Sequence, residues 1–364
     1  MLSVPVSVLM PVYNREEYVG DAIRSILVQT YADFELLIVN DGSTDKTREV
    51  IESFSDKRIK VFHTRNRGWA AALRTGMSHA KGEYLARMDS DDLSVPKRLA
   101  RQKHYLDQHP NVALVHSLVD YINTSGEIVK RRVGSCFNDA VTKWHLLWRN
   151  IVVHPTVMIR VSVLKNHGLN YLPERYRAEE FDLWNKIARV ADIHCIPEVL
   201  LRYRVHAGSA TNNNPLDAQF DVYRDVIQDN LALYGVDITQ LTAAELAIIS
   251  AGTQVDPRYH RYTNLTNKLH LVLLEADEKF RNYHKISPGQ LDAAQALQLV
   301  MWARYMLNTS KRYAATLLCL GMQREYGVLF SAYFWHIFGA LFLPQSAVAR
   351  LANLKQKLTD KRID

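Results

Sequence analysis

From Val6 onward the chain alternates short apolar bursts with amphipathic stretches. The burst "VSVLMPVY" is branched and apolar along its length, as a strand buried on both faces would be. "REEYVGDAIRSILVQT" then sets Val19, Ile23, Ile26 and Leu27 at helical spacing. "FELLIVND" predicts a second strand, and "TDKTREVIESF" a second helix capped by Ser43 or Thr44. "IKVFHT", "GWAAALRTGMSHA" and "EYLARMD" continue as strand, helix and strand. Strands alternating with helices predict an α/β fold, a mostly parallel sheet covered by helices.

Open sheets of this kind bind ligands beyond the carboxyl ends of their strands. Just past the first, second and fourth strands lie "PVYN", "NDGSTD" and "DSDD", so polar and acidic groups gather along one edge. "VPKRLARQKHYLDQHP" reads as a helix, "VALVHSLVDYIN" as a strand and "TSGE" as a turn, with "HPTVMIR" and "RAEEFDLWNKIARVADIHCIPEVLLRYRVH" continuing the domain. The polar break "GSATNNNPLD" marks a boundary. It divides a domain over 1–210, with a nucleotide-binding half to about 116 and an acceptor half over 117–210, from a helical accessory region over 211–364. Helical patterns there include "DVYRDVIQDNLALYG", "LTAAELAIIS", "YTNLTNKLHLVLLEADEKF", "PGQLDAAQALQLVMWARYML" and "SKRYAATLLCLGM".

Composition narrows the picture modestly. A chain of 364 residues accommodates two to three domains at about 150 residues each. The net charge of +7 is spread along the chain with no nucleic-acid-reading motif beside it, so no nucleic-acid partner is expected. Three scattered cysteines without zinc spacing argue against a disulfide framework or structural zinc and for a reducing, cytoplasmic setting. The N-terminal "MLSVPVSVLMPVYN" lacks a basic leader and carries two prolines, so a strand explains it better than a signal peptide. "GVLFSAYFWHIFGALFLP" is strongly apolar; it fits either a buried hairpin or peripheral contact with the inner face of the plasma membrane, helped by the basic "LKQKLTDKR".

The chemistry concentrates in "YLARMDSDDLSVPKRL". Asp89 and Asp91, two apart, point to one side if the pleat persists. Crowded carboxylates raise one another's cost of ionisation. Two explanations compete: turn and cap carboxylates, or ligands for Mg2+ or Mn2+, hard oxygen-seeking cations that would share the site with a diphosphate. Asp92 suits a cap for the following helix. Asp41, beside the permissive Gly42, could accept the imide N–H of a uracil ring, with Tyr13 and Asn14 flanking the base.

In this order, "VSVLMPVYNREEYVGDAIRSILVQTYADFELLIVNDGSTDKT", "NRGWAAALRTGMSHAKGEYLARMDSDD", "HPTVMIR", "AEEFDLW" and "LRYRVH" closely resemble the family 2 glycosyltransferases. The resemblance implies the GT-A (nucleotide-diphosphosugar transferase) fold and non-processive inverting transfer from a nucleotide-diphosphate sugar donor, a UDP-sugar above all. The acceptor it implies is a glycan or lipid-linked hydroxyl in cell-surface polysaccharide synthesis. It further implies nucleotide contacts at Pro11, Tyr13, Asn14 and Asp41. Asp91 would bind the metal, Asp89 the metal or the ribose. Arg87 and Arg204 would neutralise phosphate, and His206 would reach the metal or the β-phosphate. Where the family usually shows Glu-Asp, this chain has Glu179-Glu180. Glu180 then takes the base position with a side chain longer by about 1.5 Å, unless Glu179 serves instead. A catalytically inactive sugar-nucleotide-binding scaffold is the alternative that this substitution leaves open.

Overall fold

The structure, a computed structural model, describes residues 4–206, 208, 216–238, 265–286, 290–292, 295 and 299. The chain divides into two compact units, Met1–Leu146 with Asn150–Val222, and Leu147–Arg149 with Tyr223–Asp364. The first unit has the α/β architecture that the alternating pattern predicts. Its strands are β1 (Val6–Val12), β2 (Phe34–Asn40), β3 (Ile59–His63), β4 (Tyr84–Arg87), β5 (Leu93–Ser94), β6 (Val112–Ile122), β7 (Ile128–Val133), β8 (Met158–Arg160) and β9 (Asp192–Arg204). Its helices are α1 (Val19–Leu27), α2 (Thr47–Glu52), α3 (Trp69–His79), α4 (Arg98–Gln108), α5 (Asp139–Leu146), α6 (Val161–Asn166) and α7 (Glu179–Ala188). Beyond them run α8 (Leu216–Leu233) and α9 (Leu265–His284).

The strands form one sheet in the order β3-β2-β1-β4-β8-β6-β9-β5, with β7 on β6. From β3 to β4 every pairing is parallel. Past β4 the sheet is mixed, because β8 runs antiparallel to both β4 and β6 while β6 and β9 are parallel. Every residue of β1 and β2 is buried, as strands covered on both faces require. The expected stripe on α1 is realised: Val19, Ile23 and Ile26 are fully buried and Leu27 packs partly against the same core. α3 approaches β1 closely enough that a Cβ on Gly76 would collide with Leu9 Cδ1.

The sheet topology accounts for the functional edge. The Met88 N–H donates to Leu9 O on the β4 side of β1, and the Asp41 N–H donates to Val12 O on the β2 side. By strand alternation Pro11, which lacks an N–H, faces the β4 side, past the last β1–β4 pair at Leu9 and Arg87. A proline is tolerated there because no neighbouring strand needs its donor. The two-residue strand β5 follows the acidic turn and pairs antiparallel with the end of β9, Leu93 opposite Arg202. This pairing returns Arg204 and His206 to the acidic turn.

Three expectations are corrected. Cys136 and Cys195 are joined as a disulfide, with Cα atoms 5.1 Å apart across a sequence separation of 59. Their distance in sequence hides their meeting, since β9 carries one and the loop after β7 the other. Ser43 and Thr44 do not cap α2; the Thr47 N–H donates to Asp45 Oδ1 instead. Asp92 does not cap α4, whose N-terminus has no side-chain cap, and its carboxylate turns to β9.

Among the described residues no helix is long and apolar enough to cross a membrane. The apolar segment 327–343, the basic terminus, "LTAAELAIIS" and "SKRYAATLLCLGM" lie outside the described residues, as do most of "GSATNNNPLD" and "PGQLDAAQALQLVMWARYML".

Candidate active site

The loops after β1 and β2 are bound to each other. Asn14 adopts φ 50°; its backbone N–H donates to Ser43 Oγ at 3.0 Å, and its side-chain oxygen accepts the Thr44 N–H at 2.8 Å. The Arg15 N–H donates to Thr47 Oγ1 at 2.7 Å. Asp41, buried at the end of β2, accepts the Thr64 hydroxyl at 3.0 Å and the N–H groups of Arg67 and Gly68 at 3.1 and 2.8 Å. A carboxylate offers about four acceptor directions, so roughly one is left for a ligand donor. Gly42 sits at φ +72°, where a Cβ would come within 2.7 Å of Asn66 N, so glycine is required. Tyr13 is 41% exposed at the rim, whereas Pro11 is buried within β1 and shapes the strand end.

The turn after β4 brings the oxygens of Asp89, Asp91 and Asp92 within 4.8 Å of one another. Asp89 and Asp91 keep 17% and 16% of their side-chain surface exposed. Arg87, buried beneath them, pairs its NH1 with Asp89 Oδ2 at 2.5 Å and stacks on Trp69 at 4.7 Å. Asp91 Oδ2 accepts from both His206 Nε2 at 3.0 Å and Arg15 Nε at 3.1 Å. Asp92 Oδ1 accepts the Arg204 N–H at 2.8 Å. The Arg204 guanidinium donates to the carbonyls of Asp91, Asn123 and Thr124 and lies over the Tyr18 ring, so it braces the loops rather than facing outward. Deeper still, the buried Arg98 donates to the carbonyls of Arg87 and Val157.

Burial acts against ionisation of all three aspartates, and the outcome differs by neighbour. Burial raises Asp89 despite the opposing charge of Arg87, and Asp91 adds to the rise. For Asp91 burial is outweighed by the His206 hydrogen bond and the Arg15 charge, which hold it below the usual carboxylate range. Burial, then the charges of Asp89 and Asp91, push Asp92 well up. Oδ2 of Asp92 and Nε of Arg87 are buried without a hydrogen-bond partner among the described residues. The donor set is carboxylate oxygens with one imidazole, and it fits a hard divalent cation such as Mg2+ or Mn2+.

α7 opens with Glu179 and Glu180. Glu179 is buried, with one carboxylate oxygen unpartnered among the described residues. Glu180 Oε1 accepts from Asn150 Nδ2 at 3.4 Å. Burial first, then the charge of Glu179, lift the Glu180 carboxyl to about 8, and the charges of Arg87 and Asp89 also reach it. His154 Nε2 lies 2.8 Å from the Tyr171 hydroxyl, and both rings pack edge-on against Trp184. Burial, assisted by Arg87, keeps His154 uncharged. Sequence reasoning missed Arg15, Asn150 and Tyr171. For Arg15 a signal existed, because it directly follows the "PVYN" motif.

Comparison with known proteins identifies relatives of this chain. The family model "Glycosyl transferase family 2" matches residues 7–168. An uncharacterised glycosyltransferase of Haemophilus influenzae is 29% identical over 259 residues, 66% of this chain and 79% of that protein. The Escherichia coli O-antigen biosynthesis glycosyltransferase WbnJ is 34% identical, covering 55% of this chain and 80% of its own. A Rickettsia conorii glycosyltransferase, also 34% identical over 58% of this chain, is longer: the match spans 34% of it. Among solved structures, S. aureus TarS 1-349 in complex with UDP superposes with a TM-score of 0.51 at 17% identity, covering 92% of this chain and 90% of TarS 1-349, which shows a shared GT-A fold. The fold, the edge of strand ends and the relatives agree: the chain belongs to the family 2 glycosyltransferases.

Proposed function

We propose that the chain is a metal-dependent inverting transferase moving one sugar from a nucleotide-diphosphate donor, a UDP-sugar, to a hydroxyl of a glycan or lipid-linked acceptor. The observation that carries this is the convergence of Asp89, Asp91 and Asp92 beside Arg87, within electrostatic reach of Glu180. TarS structures titled as complexes with UDP and with UDP-GlcNAc support a uridine donor. The O-antigen role in the name of WbnJ supports cell-surface polysaccharide synthesis. Residues 1–210 are taken as the catalytic domain and 211–364 as its accessory region.

Asp41, Tyr13 and Asn14 form the nucleotide floor, held in place by the Asn14–Thr44 and Arg15–Thr47 bonds. Asp89, Asp91 and His206 would hold the cation, and Arg87 brings a permanent positive charge toward the diphosphate. When bound, the cation supplies Lewis-acid stabilisation of the negative charge that grows on the leaving group. Glu180 takes the proton of the acceptor hydroxyl. A carboxyl lifted to about 8 is matched to that role near neutral pH. Glu179 contributes from alongside, since its charge is the largest cause after burial of Glu180's affinity for a proton. His154, Tyr171 and Trp184 pack together, and both glutamates are within electrostatic reach of Tyr171.

The test is a thermal-shift screen of sugar nucleotides with Mn2+, then product analysis with the donor that stabilises. Donor turnover by the wild type and its loss in Glu180→Gln supports the reading. Donor binding without turnover in either would leave the sugar-nucleotide-binding scaffold as the function.

A further inference from the structure

We propose that Arg15, the ion-pair partner of Asp91, is a positioning residue that yields this carboxylate to the divalent cation and then faces the donor diphosphate. This inference rests on the metal assignment above. Arg15 has a fixed backbone and a movable head. Its N–H is held by Thr47 Oγ1, and the preceding Asn14 is pinned by Ser43 and Thr44. Its guanidinium makes three contacts: Nε to Asp91 Oδ2 at 3.1 Å, NH1 to Asn14 O at 2.9 Å, and NH2 to Gly208 O at 3.2 Å. The side chain keeps 24% of its surface exposed, so it has somewhere to go.

Asp91 Oδ2 also accepts from His206 Nε2 at 3.0 Å. A cation that takes this oxygen meets two donors already on it, and their chemistry decides which departs. An imidazole ring nitrogen can offer a lone pair to a metal. A guanidinium offers none, stays protonated and is repelled by a dication. Arg15 is therefore the group that leaves. Its departure also gives up the Gly208 carbonyl, which couples occupancy at Asp91 to Gly208. The freed guanidinium, tethered beside the ends of β1 and β2, has the planar fork that matches phosphate oxygens.

The proposal predicts effects of opposite sign from one substitution. Binding of Mn2+ alone is followed by electron paramagnetic resonance on the full chain, and binding of UDP at saturating Mn2+ by calorimetry. Arg15→Met is expected to bind Mn2+ alone several-fold tighter and UDP about tenfold weaker, with Arg15→Lys between it and the wild type on both. Mn2+ binding by Arg15→Met equal to or weaker than that of the wild type, or UDP binding unchanged at saturating Mn2+, overturns the role of Arg15. Asp91→Asn serves as the separate control. If it binds Mn2+ as the wild type does, the metal assignment itself fails and the Arg15 proposal with it. If it loses Mn2+ while Arg15→Met is unaltered, only the latter fails.

Discussion

His206 Nε2 lies 3.0 Å from Asp91 Oδ2 although 115 positions separate the two residues. The contact exists because β5, emerging from the acidic turn, pairs with the last residues of β9. Both residues thus belong to one edge built from distant segments of the first unit's chain. Removing the carboxylate strips the shared partner from His206 and Arg15 together.

Asp91→Asn is therefore expected to abolish Mn2+-dependent donor binding and lower kcat/KM by about 10²-fold or more. Titration of Mn2+ and steady-state kinetics with the identified donor check this. The fold is expected to persist, since amide and acid are equal in shape.

For Glu180 the sign follows from its shift. In the folded chain its proton is held to about 8, against 4.5 for the unperturbed group. Between these values the folded state binds more protons at Glu180 than the unfolded one, so this group's contribution to stability is fully present below about 4.5 and is lost as pH rises through about 8. Glu180→Gln is expected to flatten that part of the Tm-against-pH curve. It is also expected to lower kcat by roughly 10²–10⁴-fold and to remove the rise of kcat/KM with pH. Glu179→Gln, lacking the neighbouring charge, is expected to move that rise to lower pH.

Gly76 tests the packing beneath the site. An alanine there would suit a helix better by about 1 kcal/mol. Its Cβ nonetheless collides with Leu9 Cδ1, fully buried in the core. Gly76→Ala is expected to destabilise by about 1–3 kcal/mol in urea melts, and the same substitution is expected to cost less in a Leu9→Ala background, where the clash is absent.

The Cys136–Cys195 bond makes stability depend on redox conditions. Cross-linking residues 59 apart constrains the unfolded chain and stabilises by about 2–4 kcal/mol. Tm is expected to drop on adding a strong thiol reductant. In Cys136→Ser it is expected to be low and indifferent to reductant. A wild-type Tm unmoved by reductant counts against the bond.

What can be foreseen from the chain is whatever local periodicity encodes. The alternation from β1 to β4, the stripe on α1 and the edge carrying Asp41 and Asp91 all follow from spacing within about ten residues. Contacts made by distant pairing cannot be foreseen. Asp92 suits a cap by its own neighbourhood, yet its partner is the Arg204 N–H, 112 positions away. Arg15 directly follows "PVYN", yet nothing local shows that its partner is Asp91, 76 positions away. Burial of Glu179, which makes the acidic start of α7 more than a favourable helix end, depends on packing that no local pattern displays.

The interlocked loops after β1 and β2 have one more consequence. Because Asn14, Ser43, Thr44 and Thr47 are tied together by the fold itself, a nucleotide bound as proposed would meet a floor whose ordering entropy was lost during folding. Its association should accordingly show only the small negative heat-capacity change of burying its own surface, and not the far greater change that accompanies coupled folding.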